Sequence, residues 1–221
     1  DKSAQNQIYT FSGVIEQFCP KDINNARPLF EAAREGIMPI TLEVSLETMI
    51  SAAKIAKENN ILVVLDTGGI DGIQNKDSLA NLLQMVDIIK PNEHEVRYLT
   101  DVEVTDLNSA RDAGAKIQEK YGIQKTIITV GADGAYYYNN PDIGHFKALQ
   151  VESRNTTGCG DQFISILCCH LQMDRSKVEE AIRYAIVAAG IQAEKTGIEP
   201  VTREEVNRYG AYITNSKSIQ N

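Results

Sequence analysis

The sequence has no tryptophan, only four cysteines and no apolar run long enough to cross a bilayer. Two of the cysteines, Cys168 and Cys169, are adjacent within a segment of helical periodicity. This arrangement does not form a disulfide framework, and no cysteine spacing is typical of a metal site. We therefore expect a protein of the reducing cytoplasm that does not bind membranes.

Basic residues are also scarce. Lysine and arginine number 22 against 30 aspartates and glutamates, which gives a formal net charge of −8. No lysine or arginine cluster provides the basic surface that nucleic acids or anionic membranes require. Binding of a phosphate group is still compatible with this balance, because backbone amides and a divalent cation can supply positive charge locally. The length of 221 residues is enough for one domain with a full core.

Strand and helix patterns alternate along the chain. Apolar and β-branched segments predict strands at 8–11, 37–43, 61–65, 86–89 and 126–130, and a hairpin at 135–138 and 145–149. Apolar residues at helical spacing predict helices at 46–58, 78–83, 93–99, 107–121, 161–172, 176–195 and 202–214. The alternation predicts an α/β fold of three layers, with a mostly parallel central sheet that binds ligands at the carboxyl ends of its strands.

Residues 155–163 read Asn-Thr-Thr-Gly-Cys-Gly-Asp-Gln-Phe, a turn of small residues that leads directly into a helix. Backbone amides in a first helical turn lack intrahelical acceptors, and the helix dipole adds positive charge, so the turn suits an anion. Asp161 places a carboxylate beside it, as phosphoryl transfer to a hydroxyl requires. The alternative is that Asp161 only stabilises the helix N-terminus.

This stretch resembles the signature Asp-Thr-Thr-Gly-Ala-Gly-Asp-Ala-Phe of the ribokinase/PfkB carbohydrate kinases, with Asn155 and Cys159 as departures. The resemblance implies the same three-layer ribokinase-like fold. It also implies that Asp161 is the base that deprotonates the sugar hydroxyl. By the same resemblance, the amides of Gly158, Cys159 and Gly160 stabilise the transferring phosphoryl group.

Residues 90–95, Lys-Pro-Asn-Glu-His-Glu, follow a predicted strand and begin a predicted helix. By themselves they are typical of ordinary helix capping. They also resemble the Asn-x-x-Glu motif of the same family. The resemblance implies that Asn92 contacts the nucleotide phosphates and that Glu95 orients Mg²⁺ through its water shell.

Residues 129–134 join a predicted strand to the hairpin and resemble the family's Thr-x-Gly-x-x-Gly segment. The resemblance implies that Thr129, Gly131 and Gly134 lie close to ATP, although any tight turn would use the glycines. Residues 42–47 resemble the Leu-Glu-x-Pro-Leu-Glu segment of ribokinases, with Ser45 in place of the proline. On that resemblance Glu43 touches the sugar.

The family also holds a monovalent cation, usually K⁺. The resemblance assigns its ligands to five positions: Asn155, Thr157, Gln192, Lys195 and Gly197. Because Asn155 replaces a carboxylate, the ionic attraction is lost, and we expect weak K⁺ dependence, with the site empty or filled by water. The alternative is that backbone carbonyls suffice to hold the cation.

The resemblance covers the latter part of a ribokinase-like chain, without the sugar-binding Gly-Gly motif and the lid. We therefore expect residues 1–221 to be the C-terminal part of a single ribokinase-like domain, and a homodimer to form through the lid, which is not in this sequence. The expected activity is ATP-dependent phosphorylation of a primary hydroxyl of ribose or a related sugar. The alternatives are a fructokinase, a nucleoside (pseudouridine) kinase, or a catalytically silent, ligand-binding relative.

Overall fold

Strands and helices alternate along residues 13–215, the part of the chain that the computed structural model describes. The strands in this part are β1 (Ile37–Thr41), β2 (Leu62–Asp66), β3 (Ile88–Lys90), β4 (Lys125–Thr129), β5 (Ala135–Asn139) and β6 (Asp142–Phe146). The helices are α1 (Pro20–Asn25), α2 (Arg27–Ala32), α3 (Leu46–Glu58), α4 (Lys76–Leu83), α5 (Glu93–Thr100), α6 (Leu107–Tyr121), α7 (Cys159–Met173), α8 (Val178–Glu194), α9 (Arg203–Asn207) and α10 (Gly210–Asn215). The strand expected at 8–11 lies outside the described residues.

The six strands form one sheet, in the order in which they occur along the chain. The first four strands are parallel: Ile37 pairs with Leu62, Val64 with Ile88, and Ile88 with Lys125. The three central residues of β2 are fully buried, as a continuous apolar strand in a covered parallel sheet requires. The predicted α/β fold with a mostly parallel sheet is confirmed.

The described residues divide into two compact units. The larger unit comprises residues 13–129 and 136–143, and the smaller unit comprises residues 130–135 and 144–215. The larger unit contains β1 to β4 with the helices that connect them, and the smaller unit contains α7 to α10. The expectation that the whole chain is part of one domain stays a prediction.

Helices pack directly on the sheet in the larger unit. Helix α3 contacts β2, and α5 and α6 contact β4. Helix α6 approaches closely at Gly114, where a Cβ atom would overlap with the ring of Tyr138. These contacts hold the carboxyl ends of the parallel strands, and the loops that follow them, at one edge of the sheet.

In the smaller unit, α7 packs along α8, and α9 and α10 also contact α8. The core of this group is apolar and buried, and it consists of Val187, Ala188, Ile191, Val201, Val206 and Ile213. Tyr209 and Tyr212 pack against the same cluster. The smaller unit thus has a helical core of its own.

Most predicted elements end within two residues of their predicted bounds, and three segments differ by more. The helix expected at 202–214 is two helices, α9 and α10, which are separated by a turn at residues 208–209. Gly210 has low helix propensity, which favours a break at this point. The turn places Tyr209 against the apolar core of the smaller unit described above. Strand β6 begins at Asp142 instead of 145, because a two-residue turn lets pairing begin at once. Helix α2 was not predicted.

Candidate active site

In the larger unit, the carboxyl ends of β2 and β3 lie side by side and carry opposite charges. Asp66 and Lys90 are register partners in the sheet, and Lys90 Nζ lies 3.0 Å from Asp66 Oδ2. Their side chains are only 14% and 5% exposed, respectively. An unpaired charge buried this deeply would lose its hydration and destabilise the fold. The two side chains are therefore expected to stay paired.

The start of α5 follows β3 and contains Asn92 and Glu95. Asn92 was predicted to contact the nucleotide phosphates, and Glu95 was predicted to orient Mg²⁺ through its water shell. Asn92 Oδ1 accepts hydrogen bonds from the backbone amides of His94 and Glu95, both at 2.9 Å. Glu95 Oε2 accepts from the Asn92 amide at 2.9 Å and from the Thr67 hydroxyl at 2.7 Å. These bonds fix both side chains, and they leave Asn92 Nδ2 as a donor and Glu95 Oε1 as an acceptor.

Thr129, at the end of β4, lies beside this capping box. Its amide donates to the Pro91 carbonyl at 2.9 Å, and Thr129 forms an isolated parallel bridge with Asn92. Glu43 lies two residues beyond the end of β1 and is exposed. The structure thus brings Asn92, Glu95 and Thr129 together, and it places Glu43 at the same carboxyl edge of the sheet.

In the smaller unit, α7 begins at the predicted anion turn. Gly158 adopts the left-handed conformation (φ 82°), and no side-chain hydrogen bond caps the helix start. The first helical bond runs from the Gln162 amide to the Gly158 carbonyl at 2.9 Å, and the Cys159 amide donates to the Thr156 carbonyl at 3.2 Å. The helix geometry therefore leaves the amides of Gly160 and Asp161 without an intrahelical acceptor. The Cys159 amide, assigned to the phosphoryl group from the resemblance, is instead already bonded to Thr156.

Asp161 is exposed in the first turn of α7. The thiol of Cys159 is half-buried next to it. Burial raises the pKa of this thiol above its usual range, and the negative charge of Asp161 adds to the increase. The thiol therefore carries its proton at neutral pH.

Gly131 and Gly134 belong to a tight loop of the smaller unit. Both have positive φ, at 51° and 100°. The Val130 amide donates to the Gly134 carbonyl at 2.9 Å, and a Cβ atom at position 134 would overlap with the Phe146 carbonyl oxygen. Gly134 is thus required by backbone packing alone, whereas a Cβ at position 131 would meet no atom within 4 Å.

Four of the residues assigned to the monovalent cation come together through hydrogen bonds of the smaller unit. Asn155 Oδ1 accepts from the Thr157 amide at 2.9 Å. The buried side chain of Gln192 donates through Nε2 to the carbonyls of Thr157 (3.2 Å) and Gly197 (2.7 Å). The fifth residue, Lys195, points its ammonium group to Glu205, at 3.1 Å, and to the Pro200 carbonyl.

Asp66, Thr67 and Lys90 were not singled out from the sequence, although they share the edge with Asn92 and Glu95. Their position was the available signal: Asp66 and Thr67 directly follow a continuous apolar strand, and Lys90 ends the next one. Polar residues at the carboxyl ends of buried parallel strands are candidates for ligand binding. Their pairing required the sheet register, which the sequence does not show.

The model of the pfkB family carbohydrate kinases matches residues 1–204. The chain belongs to this family. It is 31% identical over 207 residues to a ribokinase of Staphylococcus aureus, with 92% of this chain and 65% of that enzyme covered. It is 33% identical over 199 residues to a bifunctional ribokinase/ribose-5-phosphate isomerase A of Fructilactobacillus sanfranciscensis, with 90% of this chain and 35% of that protein covered. The chain thus spans less than two thirds of either relative.

The ribokinase of Thermotoga maritima has a similar structure, with a TM-score of 0.78 and 26% identity, over 97% of this chain and 67% of that one. These likenesses agree with the fold and the motifs described above. Among the described residues, no helix is both long and apolar enough to cross a membrane. The roles of the individual site residues, the cytoplasmic location and the homodimer stay predictions.

Proposed function

We propose that this chain is part of an ATP-dependent sugar kinase that transfers the γ-phosphoryl group to a primary hydroxyl, with ribose as the acceptor. The observation that supports this most directly is the start of α7. It has a left-handed glycine, no side-chain cap and an exposed carboxylate three positions further on, at Asp161. Helices α2 and α8 also lack a side-chain cap, but the residues before them have negative φ, so the left-handed glycine together with the exposed carboxylate is what distinguishes α7 from them.

In this proposal, Asp161 accepts the proton of the acceptor hydroxyl as its oxygen bonds to the γ-phosphorus. The bond between that phosphorus and the bridging oxygen of ADP breaks at the same time, and ADP leaves with the electron pair. The amides of Gly160 and Asp161 donate to the phosphoryl oxygens as their charge shifts. A general base of this kind contributes about 10²–10⁴-fold to the rate.

The residues at the start of α5 fit Mg²⁺, because Glu95 is held by two donors on one oxygen and keeps the other for a water ligand. Mg²⁺ retains several waters and is bound through one or two carboxylates plus phosphate oxygens. When bound, the ion would neutralise charge on the phosphates. Asn92 Nδ2 would donate to a phosphate oxygen, and Thr67 would keep Glu95 in its orientation.

Ribose is preferred to the other acceptors because both relatives described above carry ribokinase in their names. Glu43, exposed at the carboxyl end of β1, would bind the sugar hydroxyls. ATP is inferred as the phosphoryl donor from the family resemblance.

The test is release of ADP by the purified protein with ribose, deoxyribose, fructose or pseudouridine at equal concentrations. We expect the highest kcat/KM with ribose. A higher value with another acceptor would reassign the substrate and keep the kinase. No ADP release with any acceptor, from folded protein that binds Mg·ATP, would instead indicate the catalytically silent relative.

A further inference from the structure

Two of the carbonyl groups assigned to the family's monovalent cation, those of Thr157 and Gly197, accept hydrogen bonds from a side-chain nitrogen in this chain. Gln192 Nε2 bonds the carbonyls of Thr157 and Gly197. Asn155 Nδ2 donates to the Thr196 carbonyl at 3.2 Å, and Lys195 Nζ donates to the Pro200 carbonyl at 3.3 Å. A cation would need the lone pairs of the Thr157 and Gly197 oxygens, so the two Gln192 hydrogen bonds compete with it directly.

Gln192 is the central group of this arrangement. Its side chain is fully buried and comes from the last turn of α8. A Cβ atom built on Gly158 would lie 3.8 Å from Gln192 Cδ and from Nε2, so the amide lies against the residue that begins α7. One side-chain amide thus links the turn before α7 to the loop at residues 196–198, which is the linkage that a shared cation would provide.

Asn155 fits this amide-based arrangement and a carboxylate does not. Its oxygen accepts from the Thr157 amide, and its nitrogen donates to the Thr196 carbonyl. An aspartate could make the first bond, but it has no donor for the second and would turn a carboxylate oxygen toward a carbonyl oxygen. The neutral Asn155 and the buried Gln192 therefore act in the same way: each uses a side-chain amide nitrogen to bond a carbonyl group of this region.

We propose that the Gln192 side-chain amide takes the place of the monovalent cation and that the protein needs no such cation to hold the turn at residues 155–158. The residues assigned to K⁺ from the family resemblance do not fit it here. The proposal concerns the stability of this turn and does not depend on the acceptor sugar. Its tests measure cation binding and thermal stability, so they do not depend on the proposed kinase activity.

A reversed Gln192 amide is the competing arrangement. Within the described residues, Gln192 Oε1 has no hydrogen-bond partner. Rotation of the amide by half a turn would bring this oxygen against the carbonyls of Thr157 and Gly197. Three oxygens so close repel one another unless a cation lies between them. The two orientations therefore predict opposite results for cation binding.

The first experiment measures binding of thallium(I), a stand-in for K⁺, to the unmodified protein, together with the melting temperature in KCl and in tetramethylammonium chloride at equal ionic strength. We expect no saturable binding and melting temperatures within about 1 °C, since a ligand that does not bind the native state does not stabilise it. Saturable binding, or a clearly higher melting temperature in KCl, would overturn the proposal. If no sugar is phosphorylated, the proposed function fails while this readout remains valid.

The second experiment removes the amide and restores the carboxylate in the double variant Gln192→Ala with Asn155→Asp. A cation present at about 100 times its dissociation constant would then raise the melting temperature by about 5–10 °C in KCl relative to tetramethylammonium. The matched control is Gln172→Ala, an exposed glutamine of α7, which should show no cation effect. A folded double variant without this gain would contradict the proposal, and if it does not fold, the thallium experiment still decides.

Discussion

Helices α5 and α7 both begin at sequences predicted to bind phosphate groups, but side chains cap the start of α5 and not the start of α7. At the start of α5, Asn92 and Glu95 form a reciprocal capping box that occupies the amides of Asn92, His94 and Glu95. At the start of α7, Gly158 has no side chain to cap the amides that follow.

The difference indicates two kinds of binding. The start of α5 has little backbone to offer a ligand, so in the proposed function it would act through fixed side-chain atoms, Asn92 Nδ2 and Glu95 Oε1. The start of α7 offers backbone amides and the helix dipole, which suit a phosphoryl group whose charge is changing. The resemblance to one family suggests phosphate chemistry for both helices, and the capping geometry indicates what each contributes.

The largest effect should come from Asp161→Asn, which keeps the shape of the side chain and removes the base. We expect kcat to fall by about 10²–10⁴-fold while ATP binding is nearly unchanged. Steady-state kinetics and nucleotide binding measure the two quantities. Asp112→Asn, at an exposed position of α6, is the matched control and should keep full activity. More than a tenth of the original kcat in Asp161→Asn would exclude this residue as the base.

A smaller effect is expected from Glu95→Gln at the start of α5. Loss of the charge should raise the Mg²⁺ concentration needed for half-maximal rate by about 10–100-fold, the usual cost of disturbing the groups around a metal. The measurement is a Mg²⁺ titration at fixed ATP.

The control is Glu93→Gln, in the same helical turn but outside the capping box. An equal increase in both variants would mean that general negative charge, and not the fixed Glu95 carboxylate, sets the Mg²⁺ requirement.

Gly158→Ala tests the left-handed residue that leaves α7 uncapped. The added methyl group has room, because its nearest neighbour, Ile198 Cγ2, would be 3.6 Å away. The cost is therefore conformational, at about 1–2 kcal/mol in the free energy of unfolding. Thermal unfolding should show a melting temperature lower by about 2–4 °C for each kcal/mol.

Gly72→Ala, where the added methyl meets no atom within 4 Å and φ is not positive, provides the comparison and should be close to neutral. If Gly158→Ala is equally neutral, the turn does not depend on the left-handed conformation.

The smallest effect concerns the pH dependence of Cys159, the first residue of α7. Helix N-termini usually lower a thiol pKa, but here burial and the Asp161 charge raise it. Reaction with iodoacetamide should therefore reach half its limiting rate at a higher pH than reaction of free cysteine does. The midpoint pH is the readout, because restricted access of the reagent would by itself lower the rate without moving the midpoint. A midpoint below that of free cysteine would mean that the helix dipole outweighs both effects.

Much of the fold could be predicted from local patterns. The bounds of α3 and α6 agree with the prediction at both ends, because Ser45 and Asp106 cap the first turns and a left-handed Gly122 ends α6. The buried strand β2 follows from its continuous apolar run. The position of Asp161 in a first helical turn was equally local, since a glycine turn and helical periodicity are read within a dozen residues.

The sequence by itself thus determined the alternation of strands and helices, the family and the placement of Asp161, Asn92 and Glu95 at helix starts. Only the tertiary structure decided which distant polar groups meet. Lys90 reaches Asp66 through the sheet register, and Gln192 reaches Thr157 from a helix 35 residues further along the chain. Helix capping and hydrophobic periodicity depend on residues that are close in sequence. The partners of a buried amide or ammonium group are instead the polar atoms that tertiary packing places within about 3 Å of it.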